Sequence, residues 1–341
     1  MSMTTGTRMA AEAAEAPERV AAQLAGNAAA VATLAARLRA DPPRAVVTIA
    51  RGSSDNAATY ARYLIETRLE VLSASVPPSV ASVFAARPEM SGVLALAISQ
   101  SGRSPDLIAA SRAAREGGAL VVALVNAADT PLAAAAEVVL PLAAGPEFSV
   151  AATKSCIAAF VAAAQLVADW SDDIDLRAGL VALPEALATA GAPDRGTVIP
   201  RLAAARGLYV LGRGPGFGAA QEVALKLKET CGIQAEPFSA AEVRHGPMAL
   251  IGPGFPVIAL LPDDAGREGM ETTLAAARAQ GGDIITIGSA PEATLRVPAI
   301  HPALAPIVHV AAAYRLVDQL AAALGRDPDS PPHLAKVTQT Q

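Results

Sequence analysis

The chain has 341 residues, of which 52% are hydrophobic and 17% are charged, and its formal net charge is −5. This length is enough for two domains of ordinary size, and the apolar content excludes a largely disordered chain. An aromatic content of 3% and the absence of a basic run argue against nucleic-acid binding, which depends on stacking platforms and on cations.

The segment 1–40 is predicted to be helical and not to form a secretory signal. It carries Glu12, Glu15 and Glu18 and no apolar core segment. The pattern over residues 18–40 predicts a leading helix. The uncharged stretch 155–168 is too short for a bilayer, which needs about 20 residues, so it is predicted to be a buried helix.

The two cysteines, Cys156 and Cys231, lie far apart and show no metal-type spacing. We therefore expect two buried, reduced thiols in a cytoplasmic protein. The sequence predicts no metal site, no organic cofactor and no membrane segment.

Short apolar runs alternate with helical stretches along the chain. Such runs are typical of parallel strands that are buried on both faces, with helices between them. A helical region over residues 152–205 separates the first four runs from the last three. The predicted strands are residues 45–50, 92–99, 119–125, 138–142, 207–212, 256–261 and 283–288.

The strand pattern repeats itself. Gly52 follows the first strand and Gly117 ends a later helix, and the interval between them nearly equals the interval from Gly214 to Gly281. Two markers in the same order at nearly equal spacing indicate duplication. The predicted fold is α/β, with two tandem doubly wound αβα domains that each contain a parallel sheet. The predicted boundaries are residues 1–40 for the helical segment, 41–190 and 191–326 for the two domains, and 327–341 for a C-terminal tail.

A serine-rich turn follows the second strand. Ser99, Gln100, Ser101 and Ser104 surround Gly102, and a helix begins directly afterwards. Free N–H groups and a helix N-terminus favour an anion, and serine hydroxyls suit a phosphate monoester. The sequence contains neither a P-loop nor a dinucleotide fingerprint with its acidic partner. Ser53 and Ser54 occupy the equivalent position after the first strand.

A second group of polar residues lies in the later half. Only four of the 27 basic residues are lysines, and three of them, Lys154, Lys226 and Lys336, lie in candidate functional segments. Lys226 and Glu229 are three residues apart and share a helix face. Glu222 lies one turn before Lys226, and a Glu and a Lys four residues apart usually form a simple surface ion pair. His245 precedes a Gly-Pro pair that ends any helix and places the imidazole on a loop.

These motifs resemble the sugar isomerase (SIS) family, and more narrowly the isomerase half of the glutamine–fructose-6-phosphate aminotransferases. The resemblance runs from about residue 9 to the C-terminus, and it implies two SIS domains and a hexose 6-phosphate or aminosugar 6-phosphate substrate. The five motifs are Ser99-Gln100-Ser101-Gly102, Ala151-Ala152-Thr153-Lys154, Ala224-Leu225-Lys226-Leu227-Lys228-Glu229, His245-Gly246-Pro247 and Leu334-Ala335-Lys336.

The resemblance also implies roles for individual residues. Glu229 would move a proton between sugar C1 and C2, while Lys226 and His245 would assist ring opening, with His245 supplied by the other subunit of a homodimer. Lys336, in the tail, would close over the sugar and could form a Schiff base at C2. The phosphate would be held by Ser54, Ser99, Gln100, Ser101 and Ser104, and the sugar would contact Ser53, Val150, Ala152 and Ala335.

Two departures from the aminotransferase pattern shape the expected function. Residue 2 is Ser, where the aminotransferases have the nucleophilic Cys of a glutaminase domain, and the first predicted strand already begins at Ala45. Ala152 replaces a serine. The segments around Ala152 and over residues 238–242 look more like the glutaminase-free glucosamine-6-phosphate deaminases.

We therefore expect an enzyme that converts glucosamine 6-phosphate to fructose 6-phosphate and ammonia. Alternatives within this class are a fructosamine-6-phosphate deglycase, a galactosamine-6-phosphate deaminase/isomerase, a plain aldose–ketose isomerase, and aminotransferase-type glucosamine-6-phosphate synthesis without its own glutaminase. An alternative from another class is a non-catalytic sugar-phosphate sensor, which would have no reason to keep Lys226, Glu229, His245 and Lys336 together.

Overall fold

The structure, a computed structural model, describes residues 6–191 and 196–336. These residues form two compact units, and each unit contains one five-stranded sheet. The first unit comprises residues 18–147 and 154–181. The second comprises residues 6–17, 148–153 and 182–336.

In the first unit, all strand pairs are parallel and the strand order is β2-β1-β3-β4-β5. The strands are β1 (Ala45–Ile49), β2 (Ser73–Ser75), β3 (Val93–Ser99), β4 (Leu120–Val125) and β5 (Val138–Pro141). The helices are α2 (Ala16–Ala40), α3 (Ser53–Leu69), α4 (Ser79–Ser82), α5 (Pro105–Glu116), α6 (Pro131–Ala135) and α7 (Lys154–Trp170). Every residue of β3 is buried, as expected for a central strand that is covered on both faces.

The second unit repeats this arrangement with the order β10-β9-β8-β6-β7, again in parallel. Its strands are β6 (Gly207–Gly212), β7 (Gln234–Ser239), β8 (Pro256–Leu260), β9 (Asp283–Gly288) and β10 (Leu295–Arg296). Its helices are α1 (Arg8–Ala14), α9 (Val198–Ala203), α10 (Gly216–Lys226), α11 (Arg267–Ala279) and α12 (Ala305–Ala323). A further helix, α8 (Ile174–Thr189), begins in the first unit and ends in the second.

In each unit, the first strand along the chain lies between the second and the third strands. In chain order both sheets therefore read 2-1-3-4-5. This shared order confirms the duplication and the predicted fold class. The point between the first and third strands, where successive connections turn in opposite directions, is the usual ligand position in such sheets.

The seven predicted strands are confirmed, and their ends agree closely with the predicted ones. The three strands that the sequence did not predict, β2, β7 and β10, all lie at sheet edges. Edge strands are only partly covered, so they lack a continuous apolar run, and Pro237 within β7 is tolerated there because an edge strand can lack one ladder donor.

The leading helix is confirmed as α2, and a shorter helix, α1, precedes it. The stretch 155–168 is confirmed as buried, within α7. Both cysteines are buried and neither forms a disulfide bond, and burial raises the pKa of the Cys231 thiol to about 11. Within the described ranges, no helix combines the length and apolar character needed to cross a bilayer.

His309, on α12, has an unusual environment. Its side chain is 1% exposed and neither ring nitrogen has a hydrogen-bond partner. Burial lowers the pKa of this imidazole from 6.5 to about 4, with Asp263 opposing and Arg267 reinforcing the shift. Between these two pH values the unfolded chain binds more protons than the folded one, so stability falls as the pH is lowered through that window.

We predict that His309→Leu reduces this pH dependence. Between pH 7 and pH 4.5, the loss of unfolding free energy should be smaller by about 2 to 3 kcal/mol in the variant than in the parent protein. Urea unfolding at both pH values measures this difference. His333→Gln, at an exposed tail position, is the control and should behave like the parent. Equal pH dependence in the His309→Leu variant and the parent would contradict the prediction.

Candidate active site

In the first unit, the predicted phosphate residues lie at one edge of the sheet. Strands β1 and β3 are neighbours, and α3 and α5 begin just after their carboxyl ends. Because parallel strands end at the same edge, this places two helix N-termini and the predicted hydroxyl groups together. The residues that share this edge are Ser53, Ser54, Ser99, Gln100, Ser101 and Ser104.

The turn after β3 is held by its own serines. The Ser99 Oγ accepts a hydrogen bond from the Gly102 N–H at 3.1 Å, and the Ser101 Oγ accepts one from the Arg103 N–H at 3.3 Å. Because both hydroxyls act as acceptors in these bonds, their hydrogens can be donated to an anion. Gly102 has a φ of +61°, and a Cβ there would lie 2.4 Å from the Thr130 Oγ1, so only glycine fits.

An ion pair fixes the two loops of this edge relative to each other. The Arg51 Nε, after β1, donates to the Asp106 Oδ2 at 3.0 Å, and the Asp106 side chain is fully buried in the first turn of α5. Burial raises the pKa of Asp55, at the start of α3, although Arg62 and Arg51 oppose this shift.

The start of α7 also belongs to this edge. Lys154, the first residue of α7, is 1% exposed. The Ser155 Oγ donates to the buried Glu147 carboxylate at 2.6 Å, and the Cys156 Sγ lies 3.6 Å from the Ser53 carbonyl oxygen. A third helix N-terminus therefore lies beside the loop after β1.

In the second unit, Lys226 and Glu229 form a direct ion pair. Lys226 is the last residue of α10, and Glu229 lies in the π-helical turn Leu227–Cys231 that follows. The Lys226 side chain is 1% exposed and the Glu229 side chain is 22% exposed. Glu229 is thus the member of the pair that water or a ligand can reach, and π-helical turns of this kind are frequent at functional sites.

The pair continues inward as a buried network. The Glu222 side chain is fully buried, and its Oε1 lies 3.6 Å from the Lys226 Nζ and accepts a 2.8 Å hydrogen bond from the Tyr314 hydroxyl. The Glu222–Lys226 pair is therefore buried, which excludes the alternative of a simple surface ion pair. A buried carboxylate persists only when it is paired and hydrogen-bonded, and here α12 supplies the hydrogen-bond donor.

His245 lies on an exposed, anchored turn. A 3-10 turn, Glu242–Arg244, precedes it, and Gly246 has a φ of +132°. The Tyr209 hydroxyl, from β6, donates to the Pro247 carbonyl oxygen at 3.0 Å. The predicted loop position is confirmed, and the backbone around the imidazole is fixed from the core.

The C-terminal tail is attached to residues 148–153. The Lys336 Nζ donates to the Ser149 carbonyl oxygen at 2.7 Å, and the Val150 N–H donates to the Asp329 carbonyl oxygen at 3.2 Å. The Asp329 carboxylate also accepts hydrogen bonds from the first two N–H groups of α1, at 2.7 Å each. Residues 6–17, residues 148–153 and the tail thus form one hydrogen-bonded group that contains Val150 and Lys336.

The comparisons with known proteins agree with this arrangement. The profile of the SIS domain matches residues 42–168 and 201–324, one segment for each sheet. The chain belongs to the SIS family. Each SIS segment contains one doubly wound sheet, and the predicted phosphate turn lies in the first segment, while Lys226, Glu229 and His245 lie in the second.

Individual relatives of this SIS chain are phosphosugar enzymes by name. The glutamine–fructose-6-phosphate aminotransferase (isomerizing) of Zymomonas mobilis is 38% identical over 315 residues, which cover 85% of this chain and 51% of that protein. The chain thus spans about half the length of the curated relatives that it matches.

Solved structures extend the comparison. A candidate phosphosugar isomerase from Silicibacter pomeroyi DSS-3 is 41% identical, with a TM-score of 0.88 over 95% of this chain and 100% of that one. A glucosamine-6-phosphate deaminase from Thermotoga maritima shares the fold at 19% identity, with a TM-score of 0.77 over 98% of this chain and 100% of that one.

Sequence reasoning missed Tyr314, which completes the buried network. The apolar pattern of its helix predicts that Tyr314 is buried. The sequence alone does not indicate which carboxylate accepts a hydrogen bond from its hydroxyl. Among the described residues, no cluster of three or more His, Cys, Asp or Glu side chains is suited to a metal ion. The roles predicted for the site residues, including Ala152 and Ala335, remain predictions.

We predict that Tyr314→Phe lowers the free energy of unfolding by about 1 to 3 kcal/mol, because it leaves the buried Glu222 oxygen without its hydroxyl donor. Urea unfolding at neutral pH measures this loss. Tyr63→Phe, in the same type of helical setting but with its ring only partly buried, is the control and should change stability by less than about 0.5 kcal/mol. If both variants matched the parent, the hydrogen bond to Glu222 would have no net stabilising effect.

Proposed function

We propose that this chain is an SIS-type aminosugar-phosphate deaminase/isomerase, which converts glucosamine 6-phosphate and water to fructose 6-phosphate and ammonia. The observation that carries the proposal is the Lys226–Glu229 pair, in which a reachable carboxylate is held by a buried ammonium. A reaction that shuttles one proton between adjacent carbons needs a positioned carboxylate of this kind.

The phosphate would be held by the serine turn of the first unit. In this proposal, Ser54, Ser99, Gln100, Ser101 and Ser104 donate hydrogen bonds to it, and the N-termini of α3 and α5 add the favourable ends of their dipoles. Neutral donors of this kind suit a monoester that carries two charges. The Arg51–Asp106 ion pair, at 3.0 Å, would keep the two loops at a fixed separation.

The chemistry would begin with ring opening, which exposes the C1 aldehyde. Lys226 and His245 would assist this step by exchanging protons with the ring oxygen and the C1 hydroxyl. Glu229 would then take the C2 proton and return it to C1. The electrons of the broken C2–H bond form the C1=C2 bond of an enolamine while the C1 oxygen takes up a proton. They then form the C1–H bond while the amine gives up a proton, which leaves a hydroxyl at C1 and a ketimine at C2. A cation near the C1 oxygen stabilises the charge that develops there.

Release of ammonia would follow by hydrolysis. Water adds to the ketimine carbon, and the carbinolamine expels ammonia to give the C2 ketone of fructose 6-phosphate. Lys336 could take part by adding to the ketimine carbon first, which would expel ammonia and form a Schiff base at C2. Water would then hydrolyse this Schiff base to release fructose 6-phosphate and the free lysine. In this structure its ammonium donates to the Ser149 carbonyl oxygen, beside Val150, so the tail already holds it next to one of the predicted sugar-contacting residues.

An amino substrate is favoured over a plain sugar phosphate by the names of the relatives. The Zymomonas mobilis protein is an aminotransferase by name, and its similarity covers 85% of this chain. Ala152, in place of a serine, and the segment 238–242 resemble the deaminases more than the aminotransferases. The same C1/C2 proton transfer also serves a fructosamine-6-phosphate deglycase, a galactosamine-6-phosphate deaminase/isomerase and an aldose–ketose isomerase, so a substrate panel must include all three.

Aminotransferase-type synthesis is the second candidate, because the deamination run in reverse joins fructose 6-phosphate and ammonia to give glucosamine 6-phosphate. The direction is set by the equilibrium and by the ammonia source. Incubating the protein with fructose 6-phosphate and ammonium salt therefore tests this alternative directly, with glucosamine 6-phosphate as the measured product.

A sugar-phosphate sensor is the alternative from another class. A sensor needs the phosphate turn but gains nothing from the buried Glu222–Lys226 pair, whose burial is costly unless its geometry is satisfied. The network is thus better explained by a catalytic role for Glu229.

We predict that Glu229→Gln abolishes turnover while sugar-phosphate binding is retained, because the amide cannot accept the C2 proton but keeps the shape of the side chain. Purified protein is incubated with glucosamine 6-phosphate, and ammonia and fructose 6-phosphate are both followed. The parent should release them in equal amounts, and the variant should lose at least about 10³-fold in kcat.

Glu268→Gln, on the exposed first turn of α11, is the matched control and should retain parental turnover. A Glu229→Gln variant that still turns over would rule out the proposed base. An inactive parent protein on the whole panel, with binding intact, would instead favour the sensor.

The proposed homodimer with a shared His245 makes a second prediction. His245→Ala and Glu229→Gln should each be inactive alone, but mixing and refolding them together should restore activity. Random pairing would give about a quarter of the parental activity, since half of the dimers are mixed and each has one intact site. Gel filtration establishes the dimer, and recovery that stays at background would show that His245 acts within its own chain or not at all.

A further inference from the structure

The second sheet has a cavity of its own at its ligand-binding edge. It lies beyond the carboxyl ends of β6 and β8, at the point where the chain order of the second sheet changes direction. Its lining includes Arg213, Gly216, Pro262, Asp264, Ala305 and His309. None of these residues has a role in the reaction proposed above, so this cavity needs a separate explanation.

His309 is the strongest sign of a ligand. It lines the cavity, its side chain is 1% exposed, and neither ring nitrogen has a hydrogen-bond partner. A buried imidazole without partners is unfavourable, because it loses its hydrogen bonds to water and gains none. A ligand oxygen in the cavity would supply the missing acceptor for its N–H group.

Two helices begin at this cavity. Gly216 is the first residue of α10, and Ala305 is the first residue of α12. The positive ends of their dipoles favour an anion, and Arg213, whose side chain is cationic, also lines the cavity. Gly214, with a φ of +53°, and Gly216 have open space where a Cβ would be, so a ligand can approach the backbone closely.

The lining of the cavity also includes an acidic group, close to Arg213: a Cβ at Gly266 would lie 2.9 Å from the Arg213 Cγ and 3.0 Å from the Asp264 Oδ1. Asp264 lines the cavity and accepts a hydrogen bond from the Gly266 N–H at 2.8 Å, while neighbouring Asp263 accepts one from the Ser289 hydroxyl at 2.8 Å and pairs with Arg267 at 3.5 Å. A bare anion would be repelled by Asp264, but a hydroxyl group would donate to it. The basic and acidic groups of the lining together therefore suit a molecule that carries both a phosphate and hydroxyl groups.

The size of the cavity limits how such a ligand can bind. Its inner part holds about one water molecule, and the space including its open mouth is about 240 Å³. One oxygen atom can reach His309, while the rest of the ligand lies in the mouth. The backbone here resembles the corresponding edge of the first unit. Gly52 follows Arg51 with a φ of +56°, and Gly214 follows Arg213 with a φ of +53°.

We propose that this cavity is a second binding site for a hydroxylated phosphate ester, such as a sugar phosphate. The phosphate would lie over the starts of α10 and α12 with one oxygen bonded to His309, Arg213 would pair with it, and a ligand hydroxyl would donate to Asp264. The proposal concerns binding alone, so it stands whether or not the deaminase reaction is correct.

Imidazole ¹⁵N NMR tests the site directly, because the chain has only four histidines. Glu229→Gln protein is titrated with glucose 6-phosphate, inorganic phosphate or glucose, and the His309 signal is assigned by its loss in His309→Leu. Glucose 6-phosphate should shift the His309 signal saturably. Inorganic phosphate should shift it more weakly, and glucose should have no effect.

Matched variants identify the contacts. Gly216→Asp places a carboxylate where the phosphate would bind and should abolish the shift, whereas the neutral Gly216→Asn should retain it. Arg213→Ala should weaken binding roughly tenfold, as expected for one lost charge-assisted hydrogen bond. Circular dichroism of each variant establishes that it folds.

A His309 signal that does not move while the first-unit turn binds glucose 6-phosphate would overturn the proposal, and so would a shift that survives Gly216→Asp. Binding of glucose 6-phosphate at the first-unit turn is identified as the part of the binding that is lost in the Ser101→Ala variant. An equal response to inorganic phosphate would overturn the contact assigned to Asp264. Each of these results can be interpreted even if the protein shows no deaminase activity, because none of the measurements requires turnover.

Discussion

The ammonium group of Lys226 compensates two carboxylates in a place that water hardly reaches. Glu222 and Lys226 have side-chain exposures of 0% and 1%, so neither charge can rely on solvation, and removing one partner from such a pair typically costs about 3 to 5 kcal/mol. This constraint reaches beyond the helix that carries the pair. Helix α10 must remain regular through Lys226, and α12 must pack against it to place the Tyr314 hydroxyl on Glu222.

The position of Glu229, at the outer end of this network, also depends on its ion pair with Lys226. Beyond Lys226 the helix changes to a π-helical turn, and Glu229 has a side-chain exposure of 22% while its ion pair with Lys226 is kept. The buried side holds the lysine, the lysine orients the carboxylate, and only the carboxylate reaches solvent. A proton-transferring group gains from this design, because its position is set by helix packing and not by a mobile loop.

Much of the fold could be predicted because its central strands are buried on both faces and are therefore apolar throughout. Seven strands carry this pattern, and the spacing of Gly52, Gly117, Gly214 and Gly281 indicated the duplication. The edge strands could not be predicted, since partial exposure leaves no continuous apolar run and β7 contains Pro237. For the site, residue types at strand ends and helix starts were sufficient to identify Ser99, Ser101, Lys226 and Glu229 as candidates. The burial of Glu222 was not predictable, because a Glu and a Lys one turn apart look the same on a surface as in a core.

The duplicated domains show how one scaffold can diverge without any change of topology. Each unit follows its first strand with an Arg-Gly pair in which glycine has nearly the same positive φ, +56° at Gly52 and +53° at Gly214. After that point the chemistry differs: the first unit has Ser53 and Ser54, and the second has Pro215 and Gly216. The loops after the third strands differ in the same way, with serines in the first unit and Asp263 and Asp264 in the second. Because the backbone geometry is shared and the side chains are not, the ligand preference of each edge is set by its loops. The second edge lacks those hydroxyls, but its two helix N-termini and buried imidazole give it the electrostatics of an anion site. Its carboxylates favour those anions that also donate hydrogen bonds.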